Sequence, residues 1–352
     1  MNGGMELYLH MPFCVRKCAY CDFLSFPTDQ ETQNLYTRRL REDIDAMGKK
    51  YGDIPVDTIF IGGGTPSVPD SALIVGIMEH VRKAFHVAEG AEISMEANPG
   101  TVTREKLTDY RRAGINRLSF GLQSANDREL KLLGRIHTWA EFLESFHLAR
   151  ECGFTNINID LMSALPGQTR ESWKDTLKRV TDLNPEHISA YSLIIEDGTP
   201  FGEKYGSEEG RKLLPDEDSE REMYHETKRF LRDCGYERYE ISNYAKPGKE
   251  CRHNIGYWTE VAYLGLGLGA SSYMEGCRFT NEKDLDKYLA LDFGEEDPEK
   301  RETALRKLWG QIEELSQAQR MEEFMFLGLR MLKGVSDVDF VRLFGVKMET
   351  VY

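Results

Sequence analysis

The sequence predicts an α/β fold: a partial, TIM-like (β/α)6 barrel followed by a mainly helical C-terminal domain. Two observations carry this prediction. Between residue 6 and Ser192, short segments rich in apolar and β-branched residues alternate with longer segments of helical period, as in sequential βα units. Such repeats place parallel strands side by side with right-handed crossovers, which favours an open or closed barrel over a sandwich.

The predicted elements of the barrel follow in regular order. We expect strands at 7–10, 58–61, 92–96, 117–120, 156–160 and 187–192. We expect helices near 31–48, 70–86, 103–113, 126–152 and 170–183, and another near 217–234. The barrel domain is therefore expected to span residues 1–235.

Two further regions follow the predicted barrel. Residues 236–300 are expected to extend it, and residues 292–302 look like a linker or an exposed cap. Residues 301–352 are expected to form the helical C-terminal domain, with a helical pattern through Leu332 and Gly334 as a stop signal. Since the chain stops at Tyr352, soon after an apolar pattern, we expect this domain to be incomplete.

Composition and charge narrow the class of protein. The chain has 352 residues and a net charge of -14 without a basic block, so it is not expected to bind nucleic acid. It has no apolar stretch long enough to span a membrane, and its first residues lack the pattern of a secretory leader, so neither a membrane span nor secretion is expected. An odd number of cysteines, seven, indicates a reducing compartment, and we expect the protein to be cytoplasmic.

Three of the cysteines form the sharpest motif. Cys14, Cys18 and Cys21 give C-x3-C-x2-C directly after the first predicted strand, a spacing that lets one loop wrap an iron–sulfur cluster. The alternatives are a zinc site, which usually needs a fourth Cys or His nearby, and three unrelated buried thiols. Three ligands leave one iron of a [4Fe-4S] cluster open, and the amino and carboxylate groups of S-adenosylmethionine (SAM) can chelate it.

Other polar and glycine residues recur where the predicted strands end. Gly62, Gly63 and Gly64 precede Thr65 after the second strand, where backbone can approach a ligand closely, although a tight βα turn explains them equally well. Glu96, Gln123 and Asp160 follow later strands, at the rim where βα barrels bind ligands. Glu96 is the candidate for ribose hydroxyl groups, and a helix cap or a loop hydrogen bond explains each of the three residues equally well when it is taken alone.

The motifs together resemble those of a known family. They are YLHMPFCVRKCAYCDF, FIGGGTPS, SMEANPGT, RLSFGLQS, LGRIHT and INIDLMSALPGQT, and they resemble the radical SAM family of oxygen-independent coproporphyrinogen III oxidases and their relatives. The resemblance covers most of the chain and implies the same partial barrel. It implies that SAM contacts Tyr8, Tyr20, Gly63, Gly64, Thr65, Glu96, Gln123, Arg135 and Asp160.

One departure indicates a subfamily. The oxidases carry another cysteine two residues after the triad, where this chain has Phe23. Because the motif that starts at Tyr8 lies almost at the first residue, we also expect this chain to lack the long N-terminal extension of the oxidases. The segments YEISNYAKPG and CRHNIGYW instead resemble the haem chaperone HemW. That resemblance implies haem as a third cofactor, an unidentified acceptor protein for it, and an electron donor for the cluster.

The haem candidates lie in the second of these segments. They are His253, Asn254, Tyr257 and Trp258: a possible axial ligand beside aromatic packing surfaces. A histidine of this kind is also often a packed, hydrogen-bonded core residue. Two other functions stay open, a coproporphyrinogen oxidase and a purely structural cluster protein. Coproporphyrinogen oxidase activity is not expected, because the extra cysteine is absent.

Overall fold

The computed structural model of the chain describes residues 4–294 and 297–352. Its strands are β1 (Met5–Met11), β2 (Val56–Gly63), β3 (Val87–Ala97), β4 (Arg117–Gln123), β5 (Ile157–Ser163), β6 (His187–Ser192), β7 (Glu237–Arg238), β8 (Asn243–Ala245), β9 (Tyr263–Leu266), β10 (Ser271–Met274), β11 (Cys277–Thr280) and β12 (Ile312–Glu314). In these residues the strands form one sheet in the order β12-β11-β10-β9-β1-β2-β3-β4-β5-β6-β8-β7.

Helices connect the strands. They are α1 (Gln30–Tyr51), α2 (Ser71–Ala84), α3 (Arg104–Arg112), α4 (Asp127–Leu133), α5 (Trp139–Glu151), α6 (Arg170–Thr181), α7 (Pro200–Tyr205), α8 (Glu208–Arg211), α9 (Glu217–Asp233), α10 (Arg252–Trp258), α11 (Leu285–Leu289), α12 (Pro298–Leu308), α13 (Gln317–Gly328) and α14 (Asp337–Phe344), with a 3-10 turn at Met348–Thr350.

The α/β class and the six parallel strands are confirmed. Strands β1 to β6 lie side by side in chain order and every pair is parallel. Leu7, Leu9 and Met11 of β1 are fully buried, because the strand is central in the sheet. Helix α1 packs against α2, and α2 against α3, as expected for neighbouring crossovers. The carboxyl ends of all six strands therefore meet at one rim.

Local signals explain where the helices begin and end. The Asp29 side chain accepts the backbone N–H of Thr32 at 2.8 Å and starts α1. The helix expected at 126–152 is instead two helices. Gly134, with φ +77°, ends α4 in a left-handed cap, and Thr138 begins α5 with a capping box. Because the helix is interrupted here, Arg135, between α4 and α5, lies at the rim.

The chain beyond β6 extends both sides of the parallel strands. Strand β8 lies antiparallel to β6, whereas β9 lies parallel to β1 and is followed by antiparallel β10, β11 and β12. These short strands were not expected from the sequence. The segment at 292–302, expected to be a linker or an exposed cap, is helical rather than a linker from Pro298 onward, where α12 begins, while residues 295–296 lie outside the described part.

The C-terminal part is helical, as expected, apart from the short strand β12. Phe324 of α13 and Phe340 and Phe344 of α14 form a small apolar cluster separate from the main core. Across the described residues, no helix has the length and apolar character needed to cross a membrane.

Candidate functional site

The three motif cysteines lie on one loop that is tied down at its base. The loop follows β1, and the backbone N–H of Cys14 donates to the Phe26 carbonyl at 3.1 Å, while the N–H of Phe26 donates to Pro12 at 2.8 Å. Cys14, Cys18 and Cys21 are all half-buried thiols and none is in a disulfide. The loop therefore presents three free thiols from a fixed base.

The three thiols open onto one cavity of about 380 Å³, called the cysteine cavity below. Cys14 Sγ lies 3.6 Å from the Thr65 hydroxyl, and Arg135 Nη1 donates to Cys18 Sγ at 3.5 Å. Burial, as the largest cause, raises the pKa of the Cys21 thiol. Within residues 4–294 and 297–352, no three His, Cys, Asp or Glu side chains converge as ligands of one metal ion.

The donor set fits an iron–sulfur cluster. Three cysteine sulfurs from one loop face a shared cavity, whose space exceeds what a single ion needs. The guanidinium of Arg135 donates to the sulfur of Cys18 and so fixes the position of this ligand. With three cysteines as ligands, the fourth iron of a cubane is left for a small-molecule chelator.

The glycine run after β2 packs directly on the start of the cysteine loop. Gly63 has φ +110°, and a Cβ there would lie 2.4 Å from the His10 ring. The N–H of Gly64 donates to Met11 at 2.8 Å, and that of Thr65 donates to Phe13 at 2.7 Å. Only glycine permits this contact at 63, so the run both closes the βα turn and forms one wall of the cavity.

Two carboxyl groups stand at the ends of β3 and β5. Glu96 Oε2 accepts the backbone N–H of Gly63 at 3.0 Å, and Asp160 accepts from Ser119 at 2.9 Å. Burial, followed by repulsion from Asp160, raises the pKa of Glu96 to about 8. Burial also raises the pKa of Asp160. The two side chains therefore share one polar, weakly solvated region, and hydrogen-bond donors or a cation there would stabilise their charged forms.

Gln123 and Arg135 also line the cysteine cavity. Gln123 ends β4 with φ +75°, a left-handed conformation that is strained for a side chain of this type. Arg135 Nη2 donates to the Asn98 side chain and to the Gly121 carbonyl, both at 2.6 Å. Arg135 thus joins the loop after β3, strand β4 and the cysteine loop, so it holds three parts of the rim together.

The structure brings together eight of the nine predicted SAM contacts. Those that line the cysteine cavity are Tyr20, Gly63, Gly64, Thr65, Glu96, Gln123, Arg135 and Asp160. Tyr8 is the exception: its hydroxyl lies 3.0 Å from His10 Nδ1, and it faces a second cavity. The sequence analysis missed Asn98, Tyr191 and Ser192, which also line the cysteine cavity. Tyr191 and Ser192 end β6, so the rim rule that singled out Asp160 applies to them as well.

The second cavity, of about 540 Å³, is called the aromatic cavity below. Tyr257 and Trp258, from the end of α10, line it together with Tyr263 of β9. The rings of Tyr257 and Tyr263 meet edge to face at 4.8 Å. The volume lies within the range of ordinary cofactor pockets. The two cavities share Phe23, Gly63 and Glu96, so they adjoin.

The other two haem candidates, His253 and Asn254, do not line this cavity. His253 is 1% exposed, with Nδ1 2.7 Å from the Thr58 hydroxyl and Nε2 2.9 Å from the Tyr257 hydroxyl. Burial, as the largest cause, lowers the pKa of His253 to about 3, so the ring is neutral. Both ring nitrogens are therefore engaged within the protein. Asn254 is half-buried on the same helix.

The fold and the cysteine cavity define a class, the radical SAM proteins. The family model described as "Radical SAM superfamily" matches residues 8–180, and that described as "HemN C-terminal domain" matches residues 315–352. Membership of this class implies a [4Fe-4S] cluster and SAM as cofactors.

Similarity to individual proteins identifies the family within this class. The chain is 36% identical to heme chaperone HemW from Bacillus subtilis, over 98% of this chain and 88% of that protein. It is 42% identical to heme chaperone HemW from Escherichia coli, over 76% of this chain and 69% of that one. The chain belongs to this family, the HemW heme chaperones of the radical SAM superfamily.

A solved structure confirms the fold. Coproporphyrinogen III oxidase (HemN) from Escherichia coli, a radical SAM enzyme, superposes with a TM-score of 0.82 at 26% identity, covering 98% of this chain and 79% of that chain. The shared fold includes the parallel strands whose carboxyl ends carry the cysteine cavity.

Proposed function

We propose that this chain is a haem chaperone, which binds haem and passes it to an acceptor protein while the cysteine cavity holds a [4Fe-4S] cluster and SAM. The observation that carries the proposal is the pair of adjoining cavities. The lining of one includes the three cysteines and eight of the predicted SAM contacts, and the lining of the other includes large aromatic side chains. A flat apolar macrocycle suits the second cavity, and chelation of an open iron suits the first.

In the cysteine cavity, Cys14, Cys18 and Cys21 are the proposed cluster ligands. When bound, the cluster supplies the electron that reductively cleaves the sulfonium of SAM. Arg135 is proposed to hold Cys18 in place, because it donates both to the Cys18 sulfur and to the Gly121 carbonyl of β4. Glu96 and Asp160 are proposed to accept hydrogen bonds from the hydroxyl groups of SAM. Tyr20 lines the same wall, whereas Tyr8 is proposed to act from the side of the aromatic cavity.

In the aromatic cavity, Tyr257 and Trp258 are the proposed haem contacts. His253 holds the Tyr257 hydroxyl at 2.9 Å and is proposed to position that ring rather than to bind iron. Ligation by His253 requires the loss of at least one of its two hydrogen bonds, which costs about 1 to 3 kcal/mol if the buried partner is left unpaired. Asn254 lies on the same helix and is proposed to support this segment.

A second candidate function, coproporphyrinogen III oxidase, is favoured by the similarity to the Escherichia coli enzyme. Phe23 separates the two functions. It is 60% exposed, contacts both cavities, and stands where the oxidases are expected to have another cysteine. An apolar ring at this junction cannot ligate iron or a second cofactor.

The partners follow from the same proposal. An acceptor protein is needed for haem, and a reductant protein is needed for the cluster. All seven cysteines are free thiols, which fits the reducing cytoplasm.

The oxidase alternative is tested on the anaerobically reconstituted protein with excess SAM, dithionite and coproporphyrinogen III. We expect no more than one turnover per chain, measured by chromatography of the porphyrins after oxidation. Multiple turnovers to protoporphyrinogen IX would overturn the chaperone proposal. The Phe23→Cys variant, which restores the cysteine expected in the oxidases, serves as the matched comparison.

A further inference from the structure

Arg278 stands where the aromatic cavity meets the C-terminal helices. It lies on β11 and lines the cavity, and its Nη2 donates to Glu323 Oε2 of α13 at 2.6 Å. Its guanidinium lies 5.4 Å from the centre of the Tyr273 ring. The Arg278 side chain is 34% exposed and that of Glu323 is 17% exposed. The ion pair is therefore half-buried at the edge of an aromatic pocket.

The guanidinium has donor capacity that the protein does not use. Arginine carries five N–H donors in a planar fork, and in the described residues Nε of Arg278 is buried without a partner. Among the described residues that line the aromatic cavity, Arg278 is the one arginine or lysine. A carboxylate that enters this cavity therefore meets a single cation, which suits bidentate pairing.

Haem is a flat apolar ring with two propionate carboxylates on one edge. Trp258, Tyr257 and Tyr263 offer surface for the ring, and Arg278 lies on the same cavity wall as Tyr263, since β9 and β11 flank β10. Burial of a carboxylate without a cation is costly. The charge and shape of this cavity thus match a tetrapyrrole with its acidic edge toward β11.

We propose that Arg278 anchors a propionate of haem and that Glu323 competes with this propionate for the same guanidinium. This inference rests on the proposed function, since it names the contact by which the haem site recognises its ligand. Glu323 precedes Leu327 by one turn of α13, and Leu327 lines the cavity. Arg278 therefore links haem binding to the contact between α13 and β11.

The linkage gives the C-terminal helices a part in haem transfer. When haem is bound, its propionate pairs with Arg278 and the ion pair between Arg278 and Glu323 breaks. When Glu323 pairs with Arg278 again, the propionate is displaced. Helix α13 belongs to the region 315–352 that matches the HemN C-terminal domain. An acceptor protein that binds α13 and favours the Arg278–Glu323 pair would accordingly shift the equilibrium toward release of haem.

The test is a haem titration of the reconstituted full chain, followed by Soret absorbance, with ferric haem and its dimethyl ester as the two probes. Arg278→Gln should weaken haem binding about tenfold or more, since a charge-assisted pair is lost. It should leave binding of the ester unchanged, because the ester has no carboxylate. Glu323→Gln should tighten haem binding without affecting the ester.

Arg342→Gln is the matched control, since Arg342 pairs with Asp339 on α14 and does not line the cavity. It should bind both probes as the parent does. An Arg278→Gln protein that keeps the parent's haem affinity, or that loses both probes equally, would overturn the inference without contradicting the proposed function of the parent chain. If Arg278→Gln does not fold, Glu323→Gln decides, because weaker haem binding in that variant contradicts competition. A parent chain that takes up neither probe overturns the proposed function.

Discussion

Nε2 of His253 and the hydroxyl of Tyr257 lie 2.9 Å apart across one turn of α10. The other ring nitrogen meets the Thr58 hydroxyl on β2, so the histidine ties the helix that carries Tyr257 and Trp258 to the parallel sheet. His253, which the sequence suggested as a possible iron ligand, therefore anchors the segment that carries the haem candidates.

His253→Ala is therefore expected to leave the position of the haem Soret band unchanged while reducing haem retention. It should also lower the free energy of unfolding by about 1 to 3 kcal/mol, because buried hydroxyl partners lose a hydrogen bond. Tyr257→Phe, which removes the same bond but keeps the ring, is the matched variant. A shift in the position of the Soret band of the haem that a His253→Ala protein retains, with normal cluster content, would identify His253 as the ligand after all.

Replacing Cys14, Cys18 or Cys21 by Ala is expected to abolish the cluster, since each removes one of three thiol ligands on one loop. Iron and sulfide content after anaerobic reconstitution measures this, with close to four irons per chain expected in the parent. Cys152, Cys234 and Cys277 lie outside the cysteine cavity and serve as controls. One zinc per chain with no uptake of iron would contradict the assignment.

Glu96→Ala is expected to weaken SAM binding about tenfold or more while leaving the cluster intact, because hydrogen bonds to a charged acceptor are lost. Isothermal titration of the reconstituted protein with SAM measures the affinity. Glu89→Ala, at the exposed start of the same strand, is the control. Equal affinity in the Glu96→Ala protein and the parent would show that this carboxyl does not contact SAM.

The buried carboxyl group of Glu6 is expected to make the stability of the fold depend on pH. It is 2% exposed on β1, and burial, as the largest cause, raises its pKa from 4.5 to about 9. Since the folded state holds the proton more tightly than the unfolded chain, this group lowers the free energy of unfolding as the pH rises from about 5 to 9. Glu6→Gln should flatten that slope in urea unfolding of the cluster-free protein, and exposed Glu79→Gln should not. Parallel slopes for Glu6→Gln and the parent would contradict the prediction.

Much of the barrel was predictable because its signals are local. The alternation of β-branched runs with helical segments located β1 to β6, and the end of each strand located Glu96 and Asp160. The position of Arg135 was not predictable in this way. It follows from the left-handed cap at Gly134, which separates α4 from α5, whereas the sequence pattern indicated one continuous helix. The cysteine spacing required no tertiary information.

The remainder depended on contacts distant in the chain. Strand β9 pairs with β1 across more than two hundred residues, and four residues are too few for a periodic signal. The role of His253 depends on Thr58, 195 residues away. The Arg278–Glu323 pair joins two elements that no sequence motif connects. Such partners are set by how the strands are ordered, which a local pattern does not specify.

The most direct test of the haem chaperone account is haem retention by the reconstituted protein through size-exclusion chromatography. Haem added in slight excess should remain on the protein at about one per chain, as a specific cofactor pocket requires, with iron–sulfur and SAM content unchanged. Tyr257→Ala combined with Trp258→Ala should lose haem while keeping the cluster, because these changes remove only the proposed walls of the aromatic cavity. If the parent chain emerges free of haem, or the double variant retains haem as the parent does, the account is contradicted.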